Sequence, residues 1–429
     1  MRRCIHGPGR RKRTARDGLR VRRPLHYCRG SVTAVSSRHR TAAVVLAGYG
    51  AFLQLYATQP LLPMLRGVFH ASELAVSLTV MGASLGVAVS APFCGMLADR
   101  IGRRPVIVWS ALLLALTALA TSTATTLPQL IAWRFLQGVF TPGVFAVTVA
   151  YINDEWRDGG AGRIVAAYIS GTVSGGFTSR FVSGLVAARA PWPRVFLVLG
   201  GLNLIAALAI WAWLPKETKP HEPAVGGWAP VMAHLRNREL LAAFLVGFCV
   251  LFSLVGSFTY ITFHLAAPPF LLQPAALGSI FFVYLVGAVV TPAAGPAIDR
   301  YGNRAALAAA IACSMAGIAL TLGEHLWMVV AGMAVCCTGV FVAQASASAF
   351  VGAAAERNRA LAIGLYSTFY YLGGSAGAVA PGPFYSWGGW PACAAFLAAV
   401  QVITILIALL FWKPAAGSIR AGDVRSISA

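Results

Sequence analysis

Gly95-Met-Leu-Ala-Asp99-Arg100-Ile-Gly102-Arg103-Arg104 closes one apolar stretch of the chain, and Gly295-Pro-Ala-Ile-Asp299-Arg300-Tyr-Gly302-Asn-Arg304 closes another 200 positions later. Glycine, aspartate, arginine, glycine and arginine recur in the same register, in a chain of which only 11% is charged. The echo extends further. Gly175-Gly176 is matched by Gly373-Gly374 and Trp192-Pro193 by Trp390-Pro391, both at an offset of 198. After the fourth and tenth apolar stretches an acid precedes an arginine: Glu155 with Arg163, and Glu356 with Arg359. The chain reads as two copies of one module.

Apolar residues make up 58% of the 429 positions, and the mean hydropathy is +0.71. A soluble protein would carry roughly 25% charge. Measured against the ~20 apolar residues a membrane-spanning helix needs, the sequence predicts twelve spans. The first six are 41–63, 74–98, 105–123, 127–150, 164–187 and 195–214. The second six are 240–264, 276–298, 305–323, 326–351, 361–385 and 392–412. The expected fold is an all-α membrane protein with twelve transmembrane helices in two pseudo-symmetric six-helix bundles, 41–214 and 240–412. A polar linker, 215–239, joins them, and 413–429 forms a short tail. Duplicated halves of this kind create a site at their interface that opens alternately to each side.

The net charge of +21 is concentrated at one end, since residues 1–40 hold thirteen of the 34 Lys and Arg and a single acid, Asp17. Such a composition predicts disorder. Three readings fit this tail: a nucleic-acid-binding arm, a polybasic segment touching anionic lipid, or a translation start further in. It has no apolar core with a small-residue cleavage site, so it is not read as a signal peptide. Placing both termini in the cytoplasm puts sixteen Lys and Arg beyond the tail on the inner side against three outside, Arg66, Arg189 and Arg194. That asymmetry sets the expected orientation. The eight cysteines show no metal-ligand spacing and no disulfide framework, so no metal and no cofactor is expected.

On these residues the chain resembles the major facilitator superfamily over about 41–412. Gly95 to Arg104 is similar to its signature between the second and third spans, Gly-x-x-x-Asp-Arg-x-Gly-Arg-Arg/Lys, with the weaker copy between the eighth and ninth. Arg134-Phe-Leu-Gln137-Gly138 resembles the fourth-span Arg-x-x-Gln-Gly motif of proton-linked members. Tyr56-Ala-Thr-Gln59-Pro60-Leu-Leu-Pro63 resembles the first-span end of the bacterial drug/metabolite exporter-like branch, which includes the YnfM-like group. One departure stands out: the fifth-span Gly-Pro dipeptide of drug/proton antiporters is missing from Gly171 to Arg180. The resemblance implies a monomeric inner-membrane secondary transporter that exports a metabolite or drug-like solute. Its expected partners are the solute, the lipid bilayer and protons. Uptake by symport or exchange of an organic anion is the alternative, and a non-transporting receptor of the same fold a lesser one. Nucleic acid and ATP are not expected, since no Gly-x-x-x-x-Gly-Lys-Ser/Thr loop occurs. Nor does any span carry a nucleophile–base or metal constellation, so the chain is not read as an enzyme.

Ionisable residues inside spans are functional candidates because charge in lipid is expensive. Arg134 and Arg180 each lie about seven residues from the same end of their spans, roughly 10 Å deep, and all thirteen acids fall in loops, tails or span ends. Two guanidiniums without a carboxylate suggest an anionic solute. Alternatively, Arg134 bonds to Gln137, to the first span or to backbone carbonyls, and Arg180 snorkels to the interface. The superfamily lines its cavity with spans 1, 4, 7 and 10, flanked by 2, 5, 8 and 11. By that resemblance Gln54, Tyr56 and Gln59 face Tyr260, Tyr284, Gln344 and Tyr370 across the interface. The signature loops read either as a latch whose ion pairs hold the cytoplasmic side shut and break as the halves rock, or as topology signals. Gly95 is expected to let helices approach and Gly102 to allow a tight turn. Asp99, Arg100, Arg104, Asp299, Arg300, Glu155, Arg163, Glu356 and Arg359 would supply the ion pairs.

Overall fold

Proline decides where the first span breaks. The computed structural model describes residues 37–156, 160–217, 228–355 and 357–412, and its first helix, α1 (Ser37–Leu55), stops short of the expected 41–63 span. Pro60 and Pro63 have no N–H for the carbonyl four residues back. The chain therefore passes through a turn at 56–58 and a 3-10 turn, Gln59–Leu61, before α2 (Leu62–Phe69). Gln59 donates to the Tyr56 carbonyl at 3.1 Å and Leu61 to that of Thr58 at 2.9 Å.

Five long helices complete the first half: α3 (Glu73–Ile101), α4 (Arg103–Thr121), α5 (Leu127–Glu155), α6 (Ala161–Ala187) and α7 (Pro193–Trp213). A short helix, α8 (Trp228–Arg236), lies within the expected linker, and α9 (Arg238–Ala266) opens the second half. The eighth pass comes in three pieces, α10 (Pro274–Ile280), α11 (Val283–Ala293) and α12 (Gly295–Tyr301). Four passes remain to the second half: α13 (Asn303–Leu320), α14 (Leu326–Ala354), α15 (Arg359–Val379) and α16 (Gly382–Phe411). The backbone of α16 kinks at Gly388 and Gly389, so Trp390-Pro391 starts a new direction much as Trp192-Pro193 starts α7. Residues 1–36 of the basic tail, Cys4 and Cys28 among them, and Glu356 lie outside the described residues.

The twelve passes form two six-helix bundles. Among the described residues, ten are long and apolar enough to cross a membrane by length and composition. The two that fall short are α6 and α15, equivalent members of the two halves and both rich in glycine and hydroxyl side chains. Each lies on the pass that opens its own half. At Gly175 an added Cβ would fall 2.8 Å from the Tyr49 carbonyl carbon, and at Gly373 it would fall 2.6 Å from that of Phe248. The same close contact thus recurs at matched positions. The halves meet where α3 packs on α15 and α6 on α10, two contacts that the duplication exchanges for one another.

The signature turns behave alike. Gly102 and Gly302 cap α3 and α12 at φ +93° and +81°, both with ψ 155°, a region of the map almost closed to residues with a Cβ. The expectation for Gly95 is corrected: a Cβ there, or at Gly295, would meet nothing within 4 Å. No neighbouring helix comes close at that point.

Candidate functional site

Breaking a helix orphans its terminal carbonyls, and a buried orphan must find a donor. Arg134, fully buried on α5, supplies one: Nη2 donates to the Leu55 carbonyl at the end of α1 at 2.6 Å. Its Nη1 donates to Gln137 Oε1, and Gln137 Nε2 donates in turn to Thr121 Oγ1 at 2.6 Å. Among its polar atoms only Nε lacks a partner. Arg134 and Gln137 therefore sit inside the first bundle, tying α4 and α5 to the broken first pass, and they leave the cavity set.

Arg180 has a different setting. It is 4% exposed. Nε donates to Gln59 Oε1 at 2.8 Å and Nη1 to the Gly176 carbonyl at 2.7 Å. Its Cζ lies 4.8 Å from the Tyr56 ring centroid, 5.0 Å from Phe281 and 4.7 Å from Tyr284. Tyr56 belongs to the first half, while Phe281 and Tyr284 belong to the eighth pass. Gln59 Nε2 lies 3.4 Å from Thr259 Oγ1 on α9, a second link between halves. Arg180 is thus held at the interface by ring faces and neutral acceptors. Among the described residues, every carboxylate (Glu73, Asp99, Asp154, Glu155, Glu217, Glu239, Asp299 and Glu324) lies near a helix end or in a loop.

Of the remaining candidates, Gln54 is fully buried with both amide atoms unpartnered, and the Thr58 hydroxyl is buried and unpartnered too. Buried polar atoms without partners call for a bound group or water. Tyr260 points elsewhere: its Oη donates to the Ala378 carbonyl at 3.1 Å and its ring packs on Tyr385. Tyr370 packs against Tyr366 and Tyr371, and half-buried Gln344 lies on α14. Phe281 and Thr259 were absent from the sequence-based set. Phe281 lies in the turn between α10 and α11, three residues before Tyr284, against which its ring packs. Thr259 is one residue, about 100° of helix rotation, from the Tyr260 that was chosen.

At the signature end, Glu217 of the linker accepts the backbone N–H groups of Arg103 and Arg104, the latter at 2.8 Å. A carboxylate at the N-terminus of α4 is well placed against the helix dipole. Arg103 pairs with Asp154. Arg104 Nε donates to the Leu214 carbonyl at 2.6 Å, and Arg304 reaches the Trp412 carbonyl at 3.5 Å, so each caps the last pass of its own half. Glu155 pairs with Arg40 at 3.4 Å. Arg100, Asp299 and Arg300 are exposed, Asp99 is half-buried and partnered, and Arg359 lies over Gly352. At the opposite end the halves touch directly, with Leu74 Cδ1 2.7 Å from a Cβ built on Gly382.

The family model for the Major Facilitator Superfamily matches residues 44–283 and 257–427. An uncharacterized MFS-type transporter, YybF, of Bacillus subtilis (strain 168) is 32% identical over 394 residues, covering 91% of this chain and 96% of its own. The inner membrane transport protein YnfM of Escherichia coli (strain K12) is 31% identical over 370 residues, covering 86% and 89%. Among solved structures, the nucleoside transporter NupG superposes with a TM-score of 0.74 at 14% identity, covering 87% of this chain and all of that one. The human organic anion transporter MFSD10 gives 0.67 at 18%, covering 86% and 99%. At those identities the likeness is one of fold.

Proposed function

Because the chain belongs to the Major Facilitator Superfamily and is a membrane transporter, we propose that it moves an organic anion by alternating access, with Arg180 as the recognition group. The single observation that carries this reading is a buried guanidinium, between the two halves, with ring faces and neutral oxygens around it and no carboxylate. Opening the end that is now closed would take Phe281 and Tyr284 away from Arg180. Each such cation–π contact is worth about 0.5–2 kcal/mol. A carboxylate or phosphate on the solute replaces what is lost, since it fits the guanidinium fork. A ligand that compensates one state more than the other shifts the balance between them. The unpartnered groups of Gln54 and Thr58 are available to the rest of the solute.

The finer reading is export from the cytoplasm across the inner membrane by a monomer with both termini inside. Positive charge at the signature end supports the orientation. The similarity of the 134–138 run to proton-linked members supports proton coupling. The lack of a described intramembrane carboxylate favours a proton carried on the solute, or anion exchange, over a titrating Asp or Glu. The described signature-end bonds join elements within one half, so in place of a latch that breaks between the halves they are read as braces that stiffen each half while the two rock.

Transport into liposomes with an imposed proton gradient, using matched panels of anionic and cationic aromatic solutes, tests the proposal. Uptake of anions but not cations is the expected outcome, and a preference for cations rejects it.

A further inference from the structure

Helices α1 and α6 touch backbone to backbone near Gly171 and Gly175, where an added Cβ would crowd the Val45 and Tyr49 main chains. Nearer the signature end a cavity of about 840 Å³ opens between them, bounded also by the end of α5. Val45, Leu46 and Ile164 wall it, and Arg38, Arg163 and Trp156 stand at its rim. Nearby Glu155 is taken by Arg40, whose Cζ lies 4.7 Å from the Trp156 ring centroid. None of the three ion pairs among the described residues engages Arg38 or Arg163. The wedge therefore has an apolar interior and a cationic mouth, with the Trp156 indole beside it.

We propose that this wedge holds one anionic phospholipid of the adjoining leaflet, its phosphate between Arg38 and Arg163 and its acyl chains against Val45, Leu46 and Ile164. A soluble anion is matched by the rim but not by the walls, and a neutral lipid by the walls but not by the rim. Only an anionic amphiphile satisfies both. The site is separate from Arg180 and stands whether or not the solute is an anion.

Native mass spectrometry of the full chain in detergent tests it, titrating phosphatidylglycerol against phosphatidylcholine of the same acyl chains. Wild type retains one phosphatidylglycerol more tightly. The Arg38→Ala/Arg163→Ala variant weakens that binding about 25-fold, taking about fivefold for each basic residue near an anionic headgroup, and leaves phosphatidylcholine unchanged. Ala42→Trp, which fills the wedge, releases the bound lipid, and Arg180→Met does not. Equal retention of the two lipids by wild type, or undiminished phosphatidylglycerol binding by the double variant, overturns the proposal. Displacement of the lipid by millimolar inorganic phosphate overturns it too, by making the rim a site for a free anion.

Discussion

Replacing Arg134 by methionine separates a structural arginine from a solute-binding one. The substitution leaves the Leu55 carbonyl and Gln137 Oε1 without their donors in a site with no solvent access. Each orphaned acceptor costs about 1–3 kcal/mol. Removing a buried guanidinium that has no carboxylate partner returns part of that loss, because the charge itself was costly to bury. The net effect is about 2–3 kcal/mol. At the roughly 2–4 °C per kcal/mol typical of 150–250-residue domains, the melting temperature should fall by about 5–10 °C. A thermal melt of the purified chain, followed by labelling of buried cysteines with a thiol-reactive dye, reads this out. Folded Arg134→Met protein should retain its KM for solute within about threefold. Adding Gln137→Leu should cost less than the sum of the two single changes, as expected for groups in one network. An unchanged melt together with a KM raised tenfold or more would refute the reasoning and return Arg134 to the cavity.

Three further outcomes follow from the geometry. Cysteines at Leu74 and Gly382, where the Cβ positions are 3.4 Å apart, are close to the range a disulfide spans; the oxidised pair should block transport, reduction should restore it, and neither single variant should respond. Gly102→Ala and Gly302→Ala each force a Cβ into the φ +93° and +81° turns and should cost about 1–3 kcal/mol in the same melt, whereas Gly95→Ala, with open space around it, should change nothing. Asp99→Asn should leave insertion and melting near wild type but cut transport severalfold, and wild-type rates would remove its role at the signature end.

Much of the architecture was legible because its signal is repeated. The matched loops at 95–104 and 295–304, and the Trp-Pro pairs at an offset of 198, announced two bundles, and hydropathy located the passes. Where the passes break was less legible, since it depends on which carbonyl finds a donor across the bundle: α1 can end at Leu55 because Arg134 is there to meet it. For the site, composition showed that two arginines lay in spans without acids at their depth. It did not show which one faced the partner half. That is a matter of helix rotation, and the amphipathic pattern that reveals rotation in a soluble helix is erased when lipid and core are equally apolar. The same ambiguity made Tyr260 a candidate in place of Thr259. A glycine in a sequence says only that a close approach is allowed there, and at Gly95 no neighbour takes it up.

Solid-supported membrane currents from proteoliposomes test the central claim most directly, comparing wild type with Arg180→Lys and Arg180→Met on the anion that wild type transports best. One charge-assisted hydrogen bond is worth about 1.5–3 kcal/mol, so the methionine variant should lose at least tenfold in kcat/KM for that anion. The lysine variant should keep part of the activity. Currents from Arg180→Met equal to wild type, with the same anion selectivity, would contradict the account.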